Sequence, residues 1–356
     1  MASNIPSKIT IPSQYNCLII LGPTAVGKTA VGVRLADYFG GEVICADSRQ
    51  VYKGLDVGSG KDYQDFILPA DTGSDFSYST GEAKPEHKVR YNLMDVTDLS
   101  HEYSVFDYQM DFYKVFTDLQ KRNVLPVIVG GTGMYLDSIV RGYDLIPVPT
   151  NEKLRKELAG KSISELASYL ENLKASHGDT LHNHTDTEER HRLLRAIEIE
   201  VYSTSPEKKE AERNMPQRPD IRPLIIGTTF PRPMLRAGIK KRMEKRFFQQ
   251  DMTAEVEQLH KSAEGVPEGV SWERLERLGL EYRFISEFLQ GKIASKEELF
   301  SLLCTAICQF AKRQETWYRG MEKKGVQINW LPHDGSYADS DINRRVEYAL
   351  HIIAQK

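Results

Sequence analysis

Gly22-Pro23-Thr24-Ala25-Val26-Gly27-Lys28-Thr29 fits G-x-x-x-x-G-K-[ST], between the apolar run Cys17 to Leu21 and a helical pattern from Thr29 to Tyr38. In that strand, loop, helix setting, small residues let successive backbone N–H groups converge on phosphate oxygens at a helix N-terminus, whose dipole favours anions. Lys28 adds a point charge, and Thr29 offers a hydroxyl to Mg²⁺. The pattern says phosphate but not which one, because a pyrophosphate on another carrier satisfies the same groups. One helix and one strand later comes "ADSRQVY", with Asp47. A carboxylate there could orient Mg²⁺, bind a ribose hydroxyl or cap a turn. It is also well placed to take a proton from a nucleophile that attacks the carbon bearing the pyrophosphate. On that reading the loop holds a leaving group.

The elements that must position these groups alternate up to about Tyr143. "EVICAD", "VRYNLMDV" and "VLPVIVGG" read as strands, Ser104 to Gln120 as a helix opened by a Ser104–Asp107 capping box, and Thr132 to Arg141 as another helix. Strands alternating with helices predict an α/β fold, a P-loop NTPase-like parallel sheet flanked by helices, with ligands at the C-terminal strand ends. Gly22, Asp47 and Gly130 fall at such ends. A charged, helical stretch then interrupts the pattern, and the sheet resumes at "RPLIIGTTF". The expected organisation is a first part of the P-loop core over 15–146, an inserted helical subdomain over 147–213, and core completion with C-terminal helices over 214–356. Those helices are expected at Met234 to Gln250, Thr253 to Ala263 and Lys296 to Arg319. A last strand "VQINWL" and a helix over Ile342 to Ala354 follow. Asp62 to Lys88 reads as a polar excursion or lid.

A chain of 356 residues with 40% hydrophobic content can bury a sizeable core. No stretch reaches the length of a membrane helix and the N-terminus lacks a signal peptide's apolar run, so a cytoplasmic enzyme without membrane contact is expected. The four cysteines lack paired C-x-x-C spacing, and the formal charge of −3 leaves any nucleic-acid binding to local patches. One such patch is Arg236, Lys240, Lys241, Arg242, Lys245 and Arg246; another is Lys312 and Arg313. Leu299, Leu302, Leu303, Ala306, Ile307, Phe310, Trp317 and Tyr318 follow helical spacing and are expected to be mostly core.

"GPTAVGKT", "ADSRQVYKGLDVGSGK", "PVIVGGTGMYLDSIVRG", "RLLRAIEI", "FPRPMLRAGIKKRMEKRF" and "AICQFAKRQETWYRG" stand in the order seen in tRNA dimethylallyltransferases, also called tRNA isopentenyltransferases. The resemblance covers about Cys17 to Leu331. The zinc-finger extension of eukaryotic members is absent, so the likeness is to the bacterial type. It implies transfer of a dimethylallyl group from dimethylallyl diphosphate to N6 of the adenosine next to the anticodon of tRNA, with Mg²⁺ as cofactor and a monomer as the active form. It further implies that Asp47 is the general base, with Thr24 beside it, and that Gly22 to Thr29 cradle the diphosphate and metal. Arg195, in "RLLRAIEI", is expected on the diphosphate. Ser48, Arg49, Gln50, Thr132, Lys312 and Arg313 are expected to meet the tRNA, and the inserted subdomain over 147–213 to be tRNA-binding. The chain departs from the family at Cys308 and Gly238, where arginine is usual, and in "GLEYRF", which replaces G-Y-x-E. Two alternatives stay open on the residues alone, an isopentenyltransferase of free adenine nucleotides and a small-molecule P-loop kinase.

Overall fold

The computed structural model describes residues 9–70, 85–177, 190–333 and 339–356. The chain divides into two compact units, Met1–Tyr143 with Arg218–Lys356, and Asp144–Gln217. In the first unit, β1 (Cys17–Leu21), α1 (Lys28–Phe39) and β2 (Glu42–Ala46) come first. The short strands β3 (Ile67–Leu68), β4 (His87–Lys88) and β5 (Tyr91–Asn92) precede α2 (Val105–Lys121), β6 (Pro126–Gly130) and α3 (Gly133–Arg141). The second unit holds α4 (Glu152–Glu157), α5 (Ile163–Ser176), α6 (Arg190–Ser203) and α7 (Pro206–Arg213). Back in the first unit come β7 (Pro223–Gly227), α8 (Arg232–Glu244), α9 (Met252–Lys261), α10 (Trp272–Arg277) and α11 (Leu280–Leu289). The chain continues through α12 (Lys296–Lys323), β8 (Asn329–Trp330) and α13 (Asp339–Ala354).

One parallel sheet runs β5-β2-β6-β1-β7-β8. Apart from Glu42 at the start of β2, its central strands are apolar because both faces are covered, as in parallel sheets generally. Alternate residues go to opposite layers. Leu18, Ile20, Val43, Val127, Val129, Leu224 and Ile226 pack with α1 and α13. Cys17, Ile19, Leu21, Ile44, Ile128 and Ile225 pack with α2, α3 and the end of α12. A third cluster joins Val26 of the loop after β1 and Val51, Tyr52 and Leu55 after β2 to helices α8 to α12. The fold is thus the expected P-loop NTPase-like sheet flanked by helices. Among the described residues no helix is long and apolar enough to cross a membrane.

Ser104 caps α2 through the capping box its sequence announces. Other elements differ from expectation for local reasons. The strand read from "VRYNLMDV" is only two residues long, because Leu93 (φ 60°) and Asp95 (φ 57°) take left-handed backbone that ends it. The helix expected over Met234 to Gln250 is α8 followed by a π-helical turn, Lys245–Gln249, the kind of irregularity that collects at functional sites. Of the apolar stripe on α12, Leu299, Leu303, Ala306, Ile307 and Tyr318 are buried, whereas Leu302, Phe310 and Trp317 are exposed. Of the Asp62 to Lys88 excursion, a 3₁₀ turn at Tyr63–Phe66 and the antiparallel pairing of β3 with β4 are seen; residues 71–84 lie outside the described residues.

The second unit is a small helical body with its own core of Leu154, Leu158, Leu166, Leu170, Leu193 and Ile197. Glu198 is its polar centre: it accepts from the backbone N–H of Asn151 at 3.0 Å, from Arg155 at 2.7 Å and from Arg195 at 3.1 Å. These bonds outweigh its burial and hold its carboxyl below the usual range. The stretch read as 147–213 falls within this unit, and residues 178–189 lie outside the described residues.

Candidate active site

Register lines up the strand ends. Ala46 of β2 is level with Gly130 of β6, which is level with Leu21 of β1, which is level with Gly227 of β7. The next residues, Asp47, Gly131, Gly22 and Thr228, therefore stand in a row along the C-terminal edge. Neighbouring strands are about 4.8 Å apart, so Asp47 lies about 10 Å from Gly22 with Gly131 between them.

The phosphate loop takes its shape from strained and supported backbone. Ala25 (φ 62°) and Gly27 (φ 68°) are both left-handed, and Gly27 is the N-cap of α1. Such conformations cost of order 1–3 kcal/mol at a non-glycine residue and persist only when their surroundings fix them. Here distant residues do so. The Thr24 N–H donates to Gln314 Oε1 at 2.9 Å, and Gln314 Nε2 donates to the Gly131 carbonyl at 2.8 Å, so one buried amide ties the phosphate loop to the β6 turn. Tyr318 donates to the Gly22 and Gly131 carbonyls at 3.0 and 3.2 Å. From α13, Arg345 donates to the Val26 carbonyl at 2.6 Å while lying 4.8 Å over the Phe230 ring.

Lys28 Nζ donates to the Pro23 carbonyl at 3.1 Å. Burial lowers its pKa from 10.5 to about 8, with Asp47 partly restoring it and Arg242 lowering it further. The protonated form is the one that attracts an anion, so kcat/KM for a diphosphate donor should fall about tenfold per pH unit above pH 8, since this quantity reports the free enzyme. Donor charge favours the ammonium, so kcat at saturation should hold to higher pH. A kcat/KM profile flat to pH 9.5 would remove Lys28 from donor binding. For stability the sign is opposite: the buried ammonium opposes folding below pH 8, and this penalty fades as pH rises from 8 towards 10.5.

Asp47 Oδ1 accepts from the Arg49 N–H at 2.9 Å, closing a turn on its own backbone. Among the described residues no donor is hydrogen-bonded to Oδ2. The carboxylate is thus oriented by one oxygen and open at the other. Next to it, the Ser48 N–H donates to Thr132 Oγ1 at 2.9 Å, which joins the β2 and β6 turns. Gln50 is occupied structurally: it donates to the Gly60 carbonyl at 3.0 Å and accepts from the Cys45 thiol at 3.1 Å.

Two arginines read in the sequence only as part of a basic patch for nucleic acid close the far side of the phosphate loop instead. Arg242 donates to Thr24 Oγ1 at 3.2 Å and pairs with Asp62 at 3.1 Å. Arg246 is buried beside it, with Asp62 at 3.6 Å, and burial and Arg242 lower its pKa to about 10. Both pack on Gly60 (φ 73°), where a Cβ would lie 1.6 Å from Arg246 Nη2 and 2.4 Å from Arg242 Nη2. Only a glycine leaves that space and adopts that backbone at no cost. Glu281, at the start of α11, feels Arg246, Arg242 and Asp47, and its burial raises its pKa. The one available signal was the i, i+4 spacing of Arg242 and Arg246, which puts them on one helix face.

The remaining expected residues fall in three places. Lys312 and Arg313 are exposed on α12, and Gln314 next to them turns inward. Arg195 belongs to the second unit, where it donates to Glu198 and, at 2.8 Å, to the Val148 carbonyl. Thr29 lies on the first turn of α1 beside Lys28. Among the described residues no three His, Cys, Asp or Glu side chains converge on a metal position. The donor set suits Mg²⁺, which prefers to keep waters and phosphate oxygens over an all-protein cage.

Two family models match the chain, one described as IPP transferase over residues 76–321 and one described as isopentenyl transferase over residues 15–68. The tRNA dimethylallyltransferase 2 of Treponema denticola is 49% identical over 324 residues, which cover 91% of this chain and 98% of that protein. The tRNA dimethylallyltransferase of Treponema pallidum is 45% identical over 322 residues, covering 90% and 92%. Among solved structures, the full-length tRNA isopentenylpyrophosphate transferase of Bacillus halodurans is 26% identical, with a TM-score of 0.59 over 96% of both chains. A eukaryotic dimethylallyltransferase acting on tRNA, at 20% identity, has a TM-score of 0.67 over 93% of this chain and 77% of its own, and shares the fold.

Proposed function

Since the chain belongs to the tRNA dimethylallyltransferase family, we infer that it transfers the dimethylallyl group of dimethylallyl diphosphate to N6 of the adenosine next to the anticodon, releasing diphosphate. The observation that carries this reading is the row of strand ends that sets Asp47 about 10 Å from the phosphate loop. The diphosphate lies on the Gly22–Thr29 backbone, with Lys28 and Arg242 at its oxygens. The adenine amine enters from the Asp47 side. The N6–C1 bond forms as the C1–O bond breaks, the electron pair leaves on diphosphate, and Asp47 Oδ2 receives the N6 proton. Adenine N6 is a weak nucleophile, so the barrier falls chiefly by neutralising charge on the departing diphosphate. Thr29 and the diphosphate oxygens would hold Mg²⁺, which adds to that neutralisation when bound. Ser48 and Thr132 line the approach, and an anticodon loop suits it because a loop base leaves its stack at least cost.

The test is prenyl transfer from dimethylallyl diphosphate to an anticodon stem-loop, set against AMP, ADP and ATP at matched concentrations, with Mg²⁺ and with EDTA. Transfer to the stem-loop with diphosphate release, lost in EDTA and restored by Mg²⁺, is expected. Preference for a free nucleotide would assign the chain to nucleotide prenylation, stoichiometric ADP formation would reveal a kinase, and full activity in EDTA would remove the metal.

A further inference from the structure

Glu255 stands in the first turn of α9, where an acid ordinarily serves the N-terminus of its own helix. Here both of its oxygens go to other parts of the chain. Oε2 accepts from the N–H groups of Asp56 and Val57 at 3.0 and 2.6 Å, and Oε1 accepts from the Gly58 N–H and the Tyr282 hydroxyl, both at 3.0 Å. Three consecutive backbone donors on one carboxylate fix that segment firmly, because each bond is charge-assisted. The fit is close: a Cβ on Gly58 would lie 2.7 Å from the Tyr282 hydroxyl. The segment so held leads to Gly60, and Gly60 faces the site. Its carbonyl accepts from Gln50 Nε2 at 3.0 Å and from Arg242 Nη2 at 3.4 Å. Arg246 relies on the same glycine. Its Nη2 has no hydrogen-bond partner among the described residues, so apart from Asp62 at 3.6 Å that nitrogen is kept in place by packing on Gly60.

We propose that Glu255 is a positioning residue for the donor: by fixing the segment from Asp56 to Gly60 it sets Arg242, with Arg246 packed behind it, against the phosphate loop before any diphosphate arrives; this rests on the reading of that loop as a diphosphate cradle given above. A guanidinium that is already aimed needs no reorganisation when charge develops beside it. Arg242 in its held position reaches Thr24 Oγ1 at 3.2 Å. Glu255 touches no substrate and acts at one remove, through the backbone it binds. Such remote supports matter because a misplacement of about 1 Å at a reacting centre can cost about 10²-fold in rate.

The experiment measures binding of inorganic pyrophosphate to the full chain by calorimetry, with prenyl transfer followed alongside. Glu255→Gln keeps the size of the side chain and removes its charge. It should weaken pyrophosphate binding about tenfold, within the range seen for directly coupled residues, and leave the stem-loop KM unchanged. In an Arg242→Ala background the same substitution should change binding less than about twofold, since the group it acts through is gone. A tenfold loss on both backgrounds would overturn the proposal by making the role general to the fold, and so would unchanged pyrophosphate binding in Glu255→Gln. Tyr282→Phe, which removes one bond to Oε1, keeps the test available if Glu255→Gln does not fold. It should give a smaller loss that again vanishes without Arg242, and a loss indifferent to Arg242 would overturn the proposal equally. Pyrophosphate binding needs no RNA, so absence of transfer to any RNA by the unaltered protein would sink the transferase reading while the role of Glu255 is decided by pyrophosphate alone.

Discussion

Asp47→Asn should lower single-turnover prenyl transfer by about 10²-fold or more, the scale of a lost general base, with pyrophosphate binding retained. The substitution is close to isosteric, and the asparagine Oδ1 can still accept from the Arg49 N–H, so the turn that now forms at 2.9 Å survives. Only the second atom changes, from an oxygen that can receive a proton to an amide nitrogen that cannot. Loss of rate with an unchanged pyrophosphate inhibition constant would separate proton transfer from donor binding. Turnover close to that of the unaltered protein would remove Asp47 from the mechanism.

Arg242→Ala should reduce kcat/KM by about 10²- to 10³-fold, as expected when one fixed charge aimed at a leaving group is removed. Arg242 reaches Thr24 of the phosphate loop and is held by Asp62 and the Gly60 backbone, so it is positioned before donor arrives. Arg242→Lys should recover part of the loss by keeping the charge without the fork. The family resemblance instead suggests Arg195 for this role. Measuring Arg195→Ala in parallel decides between them: a large loss there, with Arg242→Ala near normal, would place the leaving-group charge in the second unit.

Legibility in the sequence follows chain distance. The phosphate loop, Asp47, Thr132 and the α2 cap are written in short segments whose residue types demand a local conformation, and such segments read well. Gln314 does not, because its meaning is a contact with Thr24 across 290 positions. Arg242 and Arg246 read only as part of a basic run, since helical spacing says which residues share a face but not what that face meets. The same limit explains Phe310 and Trp317, which continue an apolar stripe in sequence and emerge from it in space. The brevity of β5 was hidden because a left-handed leucine, Leu93, is not something its side chain advertises.

The bond from Arg345 to Val26 bears on how the protein is made. β1 pairs on both sides with strands translated much later, β6 and β7, and the loop that follows it is fastened from α12 and finally from α13. At synthesis rates of about 5–20 residues per second, the ribosome needs tens of seconds to travel from Val26 to Arg345. For that interval the nascent chain displays every residue of its phosphate-binding sequence without the supports that shape it. An apolar first strand left waiting for partners is the kind of segment chaperones shield. Donor binding should therefore appear only once α13 has been made, in one late step.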